Sequence, residues 1–319
     1  MEQYSDKRKG HPMGTIGMRA GAEGGARAPD FEGTPSSRSR RDRSHGIADL
    51  AVHLDGGNQD AAKIAHLQTI RAIFGAHAEA FFANPIPTAF IPIGPGYEGL
   101  PAEIWAEGAA AGDVAEKTIR ARLDKLDFAV ELRRVDGMPH ELAPATATLA
   151  RSLDLFLLGR PNGDRWLADI LEAVLFDAGA AALVIPPDAA TSKDPQTILI
   201  GWRDTTECSH AIAASLPFLE RARQVHLVSV AETSSSEEKR IEPAADMAKH
   251  LSRHGISVEV RHLPKWNYPA EALLNEAAIV GADLLVAGAY GRSRLREMIF
   301  GGVTRALLRD CPIPLLMAH

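Results

Sequence analysis

Two series of short apolar runs, each alternating with segments of helical apolar spacing, constrain this chain more than any other feature. In the first series, Ile47 to Leu54, Ala78 to Ala83, Phe128 to Val135, Asp154 to Leu158 and Ala182 to Pro186 read as strands. Between them Ile64, Leu67, Ile70 and Phe74 recur at the spacing of one helix face, and Ala102 to Leu126, Leu142 to Leu153 and Trp166 to Phe176 supply the other helices. The second series repeats the order. Its strands are Thr197 to Trp202, Val225 to Val230, Ile256 to Leu263, Leu284 to Ala287 and Ile313 to Met317. Its helices are marked by Ile212, Leu216 and Leu219, then by Glu237 to His254, Ala270 to Val280 and Val303 to Arg309; Pro217 is expected to kink the first. Runs this short and this apolar suit strands buried on both faces, the condition of a parallel sheet covered by helices. The alternation therefore predicts an α/β fold of two tandem, five-stranded parallel sheets, which we take as doubly wound with the order 3-2-1-4-5.

The division falls at Pro187 to Gln196, a linker by composition, so the expected domains are 46–188 and 196–319. Pro85 to Pro101, dense in proline and glycine, reads as a long surface loop. Residues 1–45 are rich in Gly, Ser and Arg, hold few large apolar residues and end in the basic run Ser37 to Arg43. That composition predicts a disordered extension; a tail for an anionic partner, or a start codon placed upstream of the true domain, are the other readings. The extension lacks the apolar core of a secretory signal, and Glu2, Asp6, Glu23, Asp30 and Glu32 argue against a transit peptide. A formal net charge of −6 argues against a nucleic-acid partner, and no apolar run approaches the ~18 residues of a membrane helix. Cys208 and Cys311 are the only cysteines, a usage that fits a reducing compartment, so a cytoplasmic location is expected.

The most informative stretch is Ala282 to His319, ADLLVAGAYGRSRLREMIFGGVTRALLRDCPIPLLMAH. Its first strand breaks into Gly288, Gly291 follows, and further on Gly301 and Gly302 open a short helix. Glycines after a parallel strand let the backbone approach a ligand closely, and a glycine pair opening a helix points free N–H groups at an anion. Arg292 and Arg294, between the two glycine clusters, add positive charge. The spacing Gly288-x2-Gly291-x9-Gly301, followed by a helix and a Cys-Pro-Ile-Pro strand, resembles the nucleotide-binding signature of the universal stress protein family. In that family Ser or Thr usually follows the third glycine; here the place is Gly302, and Thr304 comes two later. The resemblance runs from about Ile47 to His319 and is weaker in the first series. It implies flavodoxin-like, Rossmann-like domains, an adenine nucleotide ligand (ATP, ADP or AMP, with or without Mg²⁺) and a role in stress response or regulation.

In a sheet of this order the crevice opens between the carboxyl ends of strands one and four. That rule sets Gly288 and Gly291 beside Gly201, Trp202, Arg203, Asp204 and Thr205, with Val230 over the same crevice. The resemblance further implies backbone recognition of the adenine near Val230 and an acidic contact after the first strand, where Arg203 takes the usual place and Asp204 follows. The residues expected to hold the nucleotide are thus Gly201, Trp202, Asp204, Thr205, Val230, Gly288, Gly291, Arg292, Gly301, Gly302, Val303 and Thr304. Bland readings stand beside these: Trp202 as a core aromatic, Asp204 as a helix cap, Arg292 as a solvated charge. The first series keeps Asp55-Gly56-Gly57 after its first strand, but Gly159 to Asp164 leads almost directly into the Trp166 helix with no second glycine pair, so a degenerate site is expected there.

The histidines share no metal-ligand spacing, and no Ser-His-Asp set, nucleophile elbow or phosphate loop occurs, so no catalytic residue is expected and ATP hydrolysis at most slow. By the same resemblance the two fifth strands pair as in a dimer, giving a pseudo-dimer within the chain, with a homodimer also open. The competing readings are a nucleotide-free interaction or dimerisation module and a weak adenine-nucleotide hydrolase.

Overall fold

The computed structural model describes residues 46–86, 100–161, 163–189, 193–231, 244–289 and 302–319. Its elements run β1 (Asp49–His53), α1 (Asp60–Phe74), β2 (His77–Pro85), α2 (Leu100–Leu123), β3 (Glu131–Gly137), α3 (Pro139–Ala150), β4 (Leu155–Gly159), α4 (Arg165–Glu172) and β5 (Ala181–Ile185). They continue as β6 (Thr197–Gly201), α5 (Thr206–Leu219), β7 (Gln224–Val230), α6 (Ala245–Arg253), β8 (Val258–Leu263), α7 (Pro269–Val280), β9 (Leu284–Gly288), α8 (Gly302–Asp310) and β10 (Leu315–Ala318). All ten strands join one sheet in the order β3-β2-β1-β4-β5-β10-β9-β6-β7-β8. Each half therefore reads 3-2-1-4-5, the expected doubly wound order. Every ladder is parallel except the one between β5 and β10, which pairs Val184 with Leu315, Leu183 with Leu316 and Ala182 with Met317.

The two-residue side-chain period of the strands sorts the core into two layers. Leu50, Val52, Leu155, Leu157, Ile198, Ile200, Leu284 and Val286 pack on one face with Leu67 of α1, Ile119 of α2, Ile212 of α5 and Leu251 of α6. Their strand neighbours Ala51, Phe156, Leu158, Leu199 and Leu285 pack on the other with Leu142 of α3, Ile170 of α4, Leu273 of α7 and Leu307 of α8. The outer strands β3 and β8 carry Glu131, Arg133, Arg134 and Asp136, and Glu259, Arg261 and His262, the charged composition that discourages further strand addition.

The halves repeat a device that hydrophobic periodicity does not show. Asp154, just before β4, accepts the N–H groups of Ala48 and Asp49 at 2.8 and 3.0 Å, and its own N–H donates to the Asp49 carbonyl at 2.9 Å. Asp283, just before β9, accepts from Gln196 and Thr197 at 3.0 Å each, and its N–H donates to the Thr197 carbonyl at 2.9 Å. In each half a carboxylate thus ties the start of the first strand to the start of the fourth.

Several boundaries move from the sequence reading. The third strand begins at Glu131 and not at Phe128, because the chain turns after α2 ends at Leu123. α5 runs through Pro217 and stops two residues later at Leu219, giving up the backbone bond that position 217 would make to the Ala213 carbonyl. The helix after β4 widens into a π-helical turn over Ala173–Ala178 before Gly179 stops it at φ +69°. The extension 1–45, most of the Pro85 to Pro101 loop, the first part of the Glu237 helix and the Gly291 to Gly301 segment lie outside the described residues. We predict that Asp154→Ala, which strips two backbone N–H groups of their acceptor, lowers unfolding free energy by about 1–3 kcal/mol in urea denaturation.

Candidate functional site

β6 and β9 lie side by side with Gly201 opposite Ala287, so their carboxyl ends meet at the switch point of the C-terminal half. Trp202 extends the β6 line by one residue, its N–H donating to the Val228 carbonyl at 2.7 Å, and the indole is 7% exposed within the core. The core reading of Trp202 is therefore the one its packing shows. Arg203 and Asp204 are exposed. The cap of α5 is Thr205, in extended conformation, whose Oγ1 accepts the Cys208 N–H at 3.4 Å. Asp204 is not the cap because the chain enters the helix one residue later.

Both strand-end glycines sit under close neighbours. A Cβ at Gly201 would meet Leu273 Cδ1 at 3.0 Å, and one at Gly288 would meet the Cys208 nitrogen at 2.7 Å and the Glu207 carbonyl carbon at 2.8 Å. The first turn of α5 thus lies directly on Gly288. Gly302 differs: it is exposed at the start of α8, and a Cβ there meets nothing within 4 Å. Val303 is half-buried, Thr304 is 1% exposed, and Val230 is half-buried beside Ala231, whose N–H donates to the Leu263 carbonyl at 3.1 Å. Gly291, Arg292 and Gly301 lie outside the described residues. The sequence reading missed two histidines at this end of the sheet: His319 Nδ1 lies 3.2 Å from the Ala289 carbonyl, and His210 Nδ1 lies 2.8 Å from the His319 carbonyl.

The equivalent place in the N-terminal half holds a charge cluster. Lys63 of α1, 2% exposed, sets its ammonium 2.8 Å from Asp60 Oδ1 and 3.1 Å from Asp55 Oδ2. Asp60, fully buried, accepts the backbone N–H groups of Asp55 and Gly56 at 3.2 and 2.9 Å and pairs with Arg122 at 2.8 Å. Asp55 Oδ1 takes the Gly57 N–H at 2.6 Å. A Cβ at Gly159, the end of β4, would meet Gln59 Oε1 at 3.2 Å and the Lys63 stem at 3.8 Å. The backbone donors of the Asp55-Gly56-Gly57 turn, free to meet an anion in principle, are thus satisfied by the protein's own carboxylates. Nothing in the spacing of Lys63 distinguishes it from a solvated helix lysine; only its position beneath the turn does.

Burial opposes ionisation of Asp55, but the Lys63 ammonium and the Gly57 N–H outweigh it and hold the carboxyl below its usual range. His53, fully buried with its ring edge-on to Trp166 at 5.4 Å, has both nitrogens without a hydrogen-bond partner. Burial first, and the Lys63 charge second, push it down to about 3. Cys208 and Cys311 are both free and buried, and burial raises the Cys311 thiol to about 11, so it stays protonated. Among the described residues no three His, Cys, Asp or Glu side chains gather as metal ligands, and no helix is long and apolar enough to cross a membrane.

A doubly wound, mainly parallel sheet with helices on both faces defines an α/β protein class, and the comparisons narrow it. Residues 196–319 match the universal stress protein family. A universal stress protein of Synechocystis, Slr1230, is 32% identical over 141 residues, which cover 41% of this chain and 46% of that protein; the match thus spans about half its length. The crystal structure of a universal stress protein from Archaeoglobus fulgidus superposes with TM-score 0.62 at 15% identity, covering 85% of this chain and 95% of its own. A putative universal stress protein from Pseudomonas aeruginosa gives TM-score 0.54 at 13% identity, covering 85% and 93%; at such identities the likeness is one of fold. Residues 196–319 belong to the universal stress protein family, and the fold shared with its members extends over both halves of the sheet.

Two outcomes test the N-terminal cluster. Lys63→Met, which removes the buried one of the two cations on Asp60 and the cation on Asp55, is expected to cost about 3–5 kcal/mol in chemical denaturation. His53 has a folded pKa below its unfolded value near 6.5, so the unfolded state takes up the proton first and stability falls as pH drops from about 6.5 towards 3. His53→Phe should therefore match wild type at pH 7.5 and exceed it by about 2 kcal/mol at pH 5, read from denaturation at both pH values.

Proposed function

We propose that the C-terminal half binds one adenine nucleotide, ATP or a lower phosphate, in the crevice between β6 and β9, and that the protein serves stress adaptation as a nucleotide-responsive regulator. The observation that carries this reading is the contrast between the two switch points. The N-terminal one is filled by Lys63 and its two carboxylates, whereas at the C-terminal one α8 opens on Gly302, where a Cβ would meet none of the described residues within 4 Å. A helix start without a side chain suits a phosphate, since free N–H groups and the helix dipole both favour negative charge. Gly201, Gly288 and Gly302 would keep side chains clear of the ligand, with Gly291, Arg292 and Gly301 completing the phosphate side and Val230 the base side. Any Mg²⁺ would arrive with the triphosphate, and Asp204, exposed after β6, is the nearby carboxylate that could meet it. We assign no catalytic step. In this reading 46–188 and 196–319 are the two domains, and the β5–β10 ladder makes the chain its own pseudo-dimer in a cytoplasmic setting.

One observation favours a nucleotide-free interaction module instead: the contact with the first turn of α5 explains the glycine at position 288 without any ligand. Titration calorimetry of the full chain with Mg·ATP, and with AMP beside it, separates the two. One site per chain is expected. Gly302→Asp should keep the thermal midpoint, since an acidic first turn suits a helix, yet weaken ATP at least tenfold by placing a carboxylate against the phosphates. No binding at millimolar nucleotide, or unchanged affinity in Gly302→Asp, would transfer the function to the interaction reading. Two sites per chain would show that Lys63 does not close the N-terminal crevice.

A further inference from the structure

A cavity of about 370 Å³ lies where the two halves of the sheet meet, at the end of the strands opposite the crevice. It reaches Leu284, the first residue of β9, and Pro312 to Pro314 leading into β10, whereas the crevice lies past Gly288, the last residue of β9. Its size is within the range of small-molecule pockets, and a seam between two folded halves is a common place for one. The walls are mainly apolar: Ile70 and Ile73 from α1, Leu183 from β5 and Phe218 from α5, the last held edge-on by Phe74 at 5.3 Å.

Among the described residues, the cation at the cavity is already paired with a carboxylate. Lys193 is committed to Asp283 at 3.1 Å, Asp283 also holds the first N–H groups of β6, and Asp188 adds a further negative charge. A second phosphate-bearing ligand is therefore disfavoured here.

The buried polar side chain among the walls is an imidazole. His66 of α1 is 6% exposed, and its Nδ1 lies 2.9 Å from the Ala62 carbonyl one turn back. A carbonyl only accepts, so Nδ1 carries the hydrogen and Nε2 presents a lone pair. Among the described residues Nε2 has no hydrogen-bond partner and is not sealed from solvent, and His66 is one of the residues that line the cavity. Burial holds the ring below its ordinary pKa, against the pull of the Ala62 bond, which keeps Nε2 an acceptor at neutral pH.

We propose that this cavity binds a small, uncharged, mainly apolar molecule with one hydroxyl donor, a simple phenol or alcohol, whose hydroxyl donates to Nε2 of His66. An apolar body answers the walls, the absence of charge answers the paired Lys193 beside Asp188 and Asp283, and the single donor answers the buried imidazole acceptor. Such a guest would touch α1 and β5 of the N-terminal half together with α5 and the start of β9 of the C-terminal half, so it would bridge the seam without competing for the crevice.

The test is ligand-observed NMR and calorimetry on the full chain with p-cresol and with 4-methylanisole, the same ring with its donor methylated. Saturable p-cresol binding is expected, with 4-methylanisole at least tenfold weaker, the cost of leaving one buried acceptor unmet. His66→Phe should remove the preference between the two. Ile73→Trp, at the half-buried edge of the cavity, should abolish both while preserving the thermal midpoint. The proposal is overturned if p-cresol shows no saturable binding at millimolar concentration, if wild type does not distinguish the two rings, or if binding persists unchanged in both variants.

Discussion

The architecture hangs on one reversed ladder. Nine parallel or antiparallel pairings hold the ten strands together, and the three residue pairs between β5 and β10 are the place where direction changes. Without that ladder each five-stranded half would end in a bare fifth strand of almost wholly apolar residues, Ala181 to Ile185 in one and Leu315 to Ala318 in the other. Such an edge invites pairing with any available strand. Joining the two edges removes both at once and leaves only charged strands outermost. The seam is reinforced from outside the sheet: Arg160, following β4, donates to the carbonyls of Arg309, at 2.8 Å, and Cys311, at the end of α8. A cation at a helix C-terminus meets both its unpaired carbonyls and the negative end of its dipole. The helix whose start faces the proposed phosphate is therefore anchored at its other end by the opposite half of the molecule.

Symmetry of topology has not produced symmetry of chemistry. Both halves use an aspartate before the fourth strand to gather the start of the first, and both place a turn and a helix after the first strand. At that turn they part. Asp60 and Lys63 fold back into the N-terminal crevice, and every charge there has an internal partner. A buried cluster of this kind contributes little net stability relative to an apolar core, but it is costly to break, so it holds its place. In the C-terminal half the turn residues Arg203 and Asp204 point to solvent exposure, and Thr205 takes the cap.

The elements were legible because their signals are local and redundant: apolar runs of strand length, helical spacing, and glycine at the ends of α1, α7 and the π-turn, each with positive φ. The strand order is a premise that suits a doubly wound sheet, and the meeting of the ends of β6 and β9 follows from it. Roles of single side chains were less legible. Trp202 and Asp204 could each be read two ways, because a sequence does not say which face a residue meets. Lys63, His53 and His66 gave no signal at all, since burial of a polar residue depends on what packs over it from elsewhere in the chain.

The amino-acid sequence by itself determined the fold class, the duplication and the glycine spacing after the fourth strand of the second half, because each is written in short-range pattern. Tertiary structure alone decided that one crevice is filled by its own lysine, that a glycine at position 288 serves the first turn of α5, and that His66 opens into a cavity at the seam. The physical reason is the same in all three: desolvation and close packing are set by residues distant in sequence, and no local pattern records them.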